Sequence, residues 1–361
     1  MSLLTSTDVV TAEAVATLVG DRAVVDRLLS DFLTDKGQTS ETAQIAMLAG
    51  LLREFLGGGK RLRPLLCCCG WRAVAGQGES SAMRRIAASL ELFHTFAVIH
   101  DDVMDETATR RGRPTLHRLL AIRHSQHPAA DRFAVNAAIL LGDLALGWSY
   151  ELVNAARLDE TQAAAVWPLL DSMRTDTLAG QYLDLLTEGD RGADVDTALT
   201  ICRYKTAKYT VDYPLRLGAL LAGASAEMLT ACTEYGIPLG EAFQLRDDLL
   251  GVFGDPARTG KPNLDDLRQG KHTALLAIAR QRANSAQRRT LDEVVGDPAL
   301  DEDQAAEVRG ILVETGARDA VEIMITQRSA QAVRALDRAS FQPQAAAALR
   351  YLVTTASQRE R

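Results

Sequence analysis

The feature that most constrains this chain is its period. Apolar residues return every three to four positions along almost its whole length. Between 83 and 105, Ile86, Leu90, Phe93, Ala97 and Asp101 fall at such steps. Residues 130–157, 161–187, 195–222, 226–250 and 273–284 repeat the pattern, which is that of one buried face on an α-helix. No run alternates apolar and polar residues as a half-buried strand does. Alanine and leucine dominate an apolar content of 47%, and aromatics make up only 5%. Those side chains lose little rotamer freedom in a helix. The expectation is an all-α chain broken at Gly57-Gly58-Gly59, Gly76-Gln77-Gly78, Gly189 to Gly192, and Gly251 to Gly270. No unit of twenty to fifty residues repeats, which excludes a solenoid. No Ser/Pro-rich linker divides the 361 residues. Residues 1–40 read as an N-terminal helical extension and 41–361 as a single large helical bundle. Beyond about 290 the helices are rich in Ala, Arg and Gln and carry no evident chemistry.

The formal net charge of −7 argues against a nucleic-acid binder, which needs a basic face. The basic residues are clustered, at Lys60-Arg61-Leu62-Arg63 and Arg110-Arg111-Gly112-Arg113, as suits a small anionic ligand. Cys67, Cys68 and Cys69 are consecutive and so point in different directions on a helix. With Cys202 and Cys232 they read as small buried residues of a reducing compartment. The N-terminus has early acids and no basic start before an apolar core, unlike a signal peptide. No uninterrupted apolar run approaches the ~20 residues of a membrane span. The expectation is a cytoplasmic protein.

The chemistry is concentrated at acidic helix ends. Asp101-Asp102-Val103-Met104-Asp105 closes an apolar helix, and Asp101 and Asp105, four apart, share a face. Three carboxylates at the end of a buried face are costly without a cation, and hard oxygen ligands suit Mg²⁺ completed by phosphate and water. The bland alternative is a solvated acidic end. A second pair, Asp247-Asp248, ends another apolar helix, with Gln244 one turn earlier on the same face. Cations surround both. Gly58-Gly59-Lys60-Arg61-Leu62-Arg63-Pro64 is a glycine turn with cations before a helix. It is no Walker loop, because the Ser/Thr after the lysine and the preceding strand are missing. Arg110 and Arg111 follow the first acids, and Lys261 and Lys271 the second. Lys205-Thr206, with Tyr209 a turn later, sits inside a helix. Carboxylates, a divalent metal and Lys/Arg together can hold a diphosphate.

In these residues the chain resembles the polyprenyl diphosphate synthases, the trans-isoprenyl diphosphate synthases. The matches are GGKRLRP at 58–64, HDDVMDETATRRGRPTLH at 100–117, GQYLDL at 180–185, KTAKY at 205–209 and FQLRDDLLGVFGDPARTGKP at 243–262. Asp265, Asp266 and GKHT at 270–273 continue the last block. One departure stands out: the family's second acidic motif reads DDxxD, and its third acid is here Gly251. Asp255 follows four residues later in a Gly-Asp-Pro turn.

The resemblance implies an isoprenoid-synthase bundle with a central substrate cavity. It implies a reaction of an allylic diphosphate with isopentenyl diphosphate, three Mg²⁺ ions with Mn²⁺ as substitute, and a homodimer. Asp101, Asp102, Asp105, Asp247 and Asp248 would hold the metal. Arg110, Lys205 and Lys261 would hold the allylic diphosphate, and Lys60, Arg63, His94 and Arg111 the isopentenyl diphosphate. Thr206 and Gln244 would present polar oxygens near a carbocation. For His94 alone, a hydrogen-bonded core histidine is the alternative. In the family, a bulky residue at the fifth position before the acidic motif with a small one at the fourth goes with twenty-carbon products. Phe96 and Ala97 fit that pattern, with Phe93 deeper, so geranylgeranyl diphosphate is expected and farnesyl or a longer diphosphate is the alternative. A terpene cyclase would need an Asn/Asp-x-x-Ser/Thr-x-x-x-Glu motif, which 247–255 does not supply. A His-Asp phosphohydrolase would need more upstream histidines than His94. A non-catalytic subunit would have eroded acids.

Overall fold

The computed structural model describes residues 6–39, 41–75, 80–110, 112–190, 192, 194–255 and 263–357. The all-α expectation holds. Among these residues the only strands are β1 (Thr109–Arg110) and β2 (Arg113–Pro114), an antiparallel pair in which Arg110 faces Arg113. The expected turn at Gly76-Gln77-Gly78 lies outside the described residues. Gly251 is no break: it lies inside a helix that runs on to Phe253.

The chain forms two compact units. One contains the residues up to Trp167 together with Pro214–Ala226 and Phe341–Leu349; the other contains Pro168–Tyr213, Glu227–Ser340 and the residues from Arg350. In the first unit, α1 (Ser6–Gln38) buries Ala14, Leu18, Val25, Leu29 and Leu33, a stripe at helical spacing. It packs on α2 (Ala43–Phe55), α3 (Leu62–Ala75) and α4 (Ser81–Met104). An Arg72–Asp21 ion pair ties α3 to α1. After the hairpin come α5 (Leu116–Arg123) and α6 (Ala130–Ala155), and α6 lies along α4. Gly142 of α6 makes that approach possible, because a β-carbon there would overlap the His100 ring of α4. α6 has the length and composition of a membrane-crossing helix. Its Ala138, Leu141, Gly142 and Ala145 are nonetheless buried, as in a core helix.

The Cys67-Cys68-Cys69 run lies wholly inside α3, and Cys67 touches the helix α9 (Tyr213–Leu221) through Gly218. Burial pushes all three thiols up, Cys69 to about 12, which leaves them protonated and unreactive.

The second unit begins with the C-terminal part of α7 (Glu160–Thr187), then α8 (Val195–Ile201). The single periodic run expected over 195–222 is in fact interrupted. Cys202–Asp212 winds as a π-helix before α9 resumes the ordinary winding. Next come α10 (Ala226–Phe253), α11 (Asp265–Arg268), α12 (Ala274–Arg282), α13 (Ser285–Val294), α14 (Glu302–Glu314) and α15 (Ala317–Arg338); the last helix, α16 (Pro343–Ser357), has its residues up to Leu349 in the first unit and the rest in the second. The core of this unit joins Leu245, Leu249 and Val252 of α10 to Leu275 and Ile278 of α12, Leu291 of α13, Leu312 of α14 and Val321 of α15. Each fully buried leucine contributes ~2 kcal/mol, so the C-terminal helices with no chemistry of their own hold α10 in place.

Candidate active site

The first acidic cluster is made by the way α4 ends. Ser80 caps its start by accepting from the Met83 N–H, and Asp105 is its C-cap residue. Glu106 then takes a left-handed conformation (φ 49°), and the Thr107 N–H donates to the Asp102 carbonyl. The chain turns back through β1 and β2, which lays Arg110 on the acids. Its Nε donates to Asp102 Oδ1 at 2.8 Å, and Nη2 reaches Asp101 Oδ2 at 3.3 Å. A helix C-terminus carries partial negative charge, so three carboxylates there repel their own helix. Arg110 supplies the compensating charge. Burial opposes its ionisation, but Asp102, Asp101 and Asp105 outweigh burial and hold the guanidinium above its ordinary value. Asp102 is almost fully buried, at 1% exposure, whereas Asp101 keeps 20%. The predicted diphosphate ligand Arg110 thus lies on the carboxylates themselves. Arg111 lies outside the described residues.

α4 also carries the expected chain-length residues. Phe93 and Phe96 are buried with ring centroids 5.6 Å apart, and Phe96 stands 4.7 Å from the His100 ring. Phe93, Phe96 and His100 form one stripe, while His94, Ala97 and Asp101 form the next. His100 approaches the Ile139 carbonyl of α6 at 3.2 Å and Asp143 at 3.4 Å. His94 and Ala97 are half-buried.

The glycine turn before α3 divides its cations. Gly58 has φ 84°, and Arg61 is left-handed at φ 54°. Arg61 turns inward, 6% exposed, to pair with Glu91 of α4 (2.8 Å) and Asp26 of α1 (2.6 Å) and to donate to the Leu56 carbonyl that ends α2 (2.6 Å). It ties three helices together, a role the sequence reading missed. Lys60, beside it, is exposed, whereas Arg63 is buried.

In the second unit, Lys205 and Thr206 lie on the π-helix, not on an ordinary helix as expected. The i→i+5 hydrogen bonding of such a segment is rare and marks functional sites disproportionately. Three glycines accommodate it. A β-carbon on Gly180 of α7 would overlap the backbone at Tyr204 and Lys205. One on Gly240 would stand 2.5 Å from the Ala207 Cα, and one on Gly236 would stand 2.8 Å from the Asp212 Cα. Lys205 pairs with Asp184 of α7 at 2.6 Å, and Lys208 pairs with Asp176, also at 2.6 Å. Asp184 falls in the GQYLDL block, but its partner could not be read from sequence. Thr206 is half-buried.

On α10, the Gln244 side-chain amide donates to Asp248 Oδ1 at 2.8 Å, as their one-turn spacing implies. Desolvation pushes the Asp248 carboxyl up to about 7; the Gln244 hydrogen bond opposes this, Asp266 and Asp247 add to it, and Lys271 lowers it. Asp247 lies beside it, half-buried. Asp255 is exposed beyond the helix end. Lys261 lies outside the described residues.

The donor set fits a hard divalent cation. Asp101, Asp102 and Asp105 have other interactions, yet Asp101 Oδ1, Asp102 Oδ2 and Asp105 Oδ2 are enclosed and accept no hydrogen bond among the described residues. Among those residues, no three carboxylates, imidazoles or thiols form a ready-made cage. Mg²⁺ is commonly held by one or two carboxylates plus waters and substrate phosphate, and does not need one.

Comparison with known proteins agrees with this geometry. The polyprenyl synthetase family model matches residues 45–312. A geranylfarnesyl diphosphate synthase of Aeropyrum pernix is 33% identical over 302 residues, covering 83% of this chain and 87% of that protein. A (2E,6E)-farnesyl diphosphate synthase of Mycobacterium bovis is 34% identical over 262 residues, 72% of this chain and 67% of the relative. The crystal structure of a geranylgeranyl pyrophosphate synthase from Corynebacterium glutamicum, complexed with isoprenyl diphosphate and magnesium, is 36% identical. It aligns with a TM-score of 0.87 over 93% of this chain and 98% of its own. The three proteins are named for three different product lengths.

Proposed function

The chain belongs to the polyprenyl synthetase family and is a trans-prenyl diphosphate synthase, and we propose that it joins an allylic diphosphate to isopentenyl diphosphate with geranylgeranyl diphosphate as main product. The observation that carries the reading is the end of α4, where Asp101 and Asp102 share the Arg110 guanidinium and, with Asp105, have enclosed oxygens. Asp101, Asp102, Asp105, Asp247 and Asp248 hold Mg²⁺, three ions with diphosphate bound, and Mn²⁺ substitutes. Bound Mg²⁺ supplies Lewis acidity that stabilises the departing diphosphate. Lys205, Arg110 and Lys261 hold that diphosphate while the bond between its oxygen and the allylic carbon breaks. Lys60, Arg63, His94 and Arg111 hold isopentenyl diphosphate so that its double bond faces the cation. Thr206 and Gln244 present oxygens to the positive carbon. The alkene pair forms the new carbon–carbon bond, and the proton lost from the adjacent carbon passes to the released diphosphate.

The twenty-carbon product is supported by buried Phe96, in ring contact with Phe93 and His100, and by small Ala97 one turn before Asp101. Residues 41–361 form the synthase domain and 1–40 its helical extension. This division is supported by the start of the family match at 45. We also propose a homodimer, supported by exposed Ile139 and Leu140 on α6, which sedimentation equilibrium would test. A cytoplasmic location is supported by five buried cysteines, none in a disulfide, and cell fractionation would test it. The deciding assay is incubation with radiolabelled isopentenyl diphosphate, Mg²⁺ and an allylic primer, then chromatography of the dephosphorylated products. A labelled twenty-carbon alcohol as main product is expected. Absence of any elongated product would refute the reading.

A further inference from the structure

We infer that Asp266 is the third carboxylate of the second acidic cluster, standing in the space that Gly251 leaves open. The inference rests on the proposed diphosphate chemistry. Asp247 and Asp248 lie near the end of α10, and the position one turn after Asp247 on the same face is Gly251, which has no side chain. That space is filled. A β-carbon built on Gly251 would overlap Asp266 Oδ2 and lie 2.9 Å from its Cγ. The carboxylate of Asp266, on α11, therefore occupies the volume into which a residue at 251 would project. Lys271 Nζ stands 3.9 Å from its other oxygen. Lys271 follows Gly270, which takes φ 64° in the turn after α11. The loop that delivers Asp266 thus brings a balancing cation with it. Asp255, the nearest acid in sequence after Asp248, is exposed and does not occupy the space.

A β-carbon at 251 would meet only the far end of the Asp266 side chain, which would have to shift; glycine leaves the carboxylate of an acid fifteen residues further along in place. The acid is carried on a separate helix, α11, not on α10, so its position depends on the turn at 270 and the packing of Leu267.

The test compares metal binding in four proteins: the parent, Asp266→Asn, Gly251→Ala, and the double variant Gly251→Asp with Asp266→Ala. The probe is Mn²⁺ with inorganic diphosphate, and free Mn²⁺ is read by electron paramagnetic resonance. Circular dichroism confirms folding, and Asp101→Ala serves as a control at the other cluster. Asp266→Asn should weaken diphosphate-dependent Mn²⁺ binding ~10–100-fold, the range found for groups that orient a metal's ligands. Gly251→Ala, which removes no acid but makes the Asp266 carboxylate shift, should weaken it less than Asp266→Asn does. The double variant, which moves the carboxylate to the other backbone position, should return affinity to within a few-fold of the parent. Unchanged affinity in Asp266→Asn overturns the inference, as does a folded double variant that stays as weak as Asp266→Asn. If the parent itself shows no diphosphate-dependent Mn²⁺ binding, it is the proposed function that fails.

Discussion

The two acidic helix ends look alike in sequence and are built differently. At the end of α4, the hairpin returns Arg110 to Asp101 and Asp102, so the cluster carries its own cation close by. At the end of α10, Asp248 accepts from the neutral Gln244 amide, and its carboxyl is pushed up to about 7 by desolvation and by its acidic neighbours. A charged partner resists loss of the cluster's ionisation, whereas a neutral one leaves the charge to be completed by whatever binds. The first end carries its own guanidinium, and Asp248 at the second end leans on a neutral amide.

The largest effect that can break this comparison is loss of the acids themselves. Asp101→Ala and Asp247→Ala should each lower turnover by ~10³-fold or more, the scale on which removal of one electrostatic stabiliser acts, with circular dichroism unchanged. Excess EDTA should abolish product formation in the parent. Full activity in EDTA would remove the metal from the account of both ends.

Next is the internal cation. Arg110→Ala leaves Asp102 buried beside two other acids, and breaking a buried pair from one side costs ~3–5 kcal/mol. Because Arg110 keeps 19% exposure, a loss nearer ~2 kcal/mol is expected, seen as a lower urea midpoint together with a raised Michaelis constant for the allylic substrate. By contrast, Lys60→Ala, at an exposed position, should leave the midpoint unchanged and raise the Michaelis constant for isopentenyl diphosphate. If both variants shifted both constants equally, the division of anion sites would be wrong.

Product length probes α4 from its buried side. Phe96→Ala should move the products beyond twenty carbons, and Ala97→Phe should move them toward fifteen, both read by chromatography. An unchanged distribution in Phe96→Ala would mean that Phe96 is not the floor of the channel.

The smallest effect separates the two ends by pH. In metal-free protein, Asp248 has a folded pKa of about 7, against ~3.9 for an unfolded aspartate. Between those values the folded state holds a proton that the unfolded state has released. The group's contribution to stability is therefore present at the acid end and is lost as pH rises through about 7. In EDTA, Asp248→Asn should flatten the fall in melting temperature between pH 5 and pH 8 relative to the parent, by ~1–3 °C. Identical slopes would show that Asp248 does not titrate there.

Much of this was legible before the structure, because it is local. The run from Ile86 to Asp101 announces a buried helix face, and Asp101 with Asp105 or Gln244 with Asp248 meet through one helical turn whatever surrounds them. The helices α4, α6, α7 and α10 accordingly appear where the period places them. What was missed depends on partners far away in the chain. Arg61 looks like one more cation for a diphosphate, yet its left-handed backbone and its pairs with Asp26 and Glu91 make it a clamp between helices. The π-helix at Cys202–Asp212 is not legible in the sequence, and its close packing on Gly180, Gly236 and Gly240 is a contact between residues far apart in the chain.

By itself the sequence determined the helical class, the acidic ends and the family, since each depends on spacing within a few turns or on motifs kept in order. Only the tertiary structure decided which charges meet. Lys205 could have paired with any acid, and it is Asp184. Gly251 read as a missing carboxylate, and its empty volume proves to be filled from α11 by Asp266. Charge and volume act through space with no regard for sequence distance, so where an acid is absent from one helix, only the packing of another can show what stands in its place.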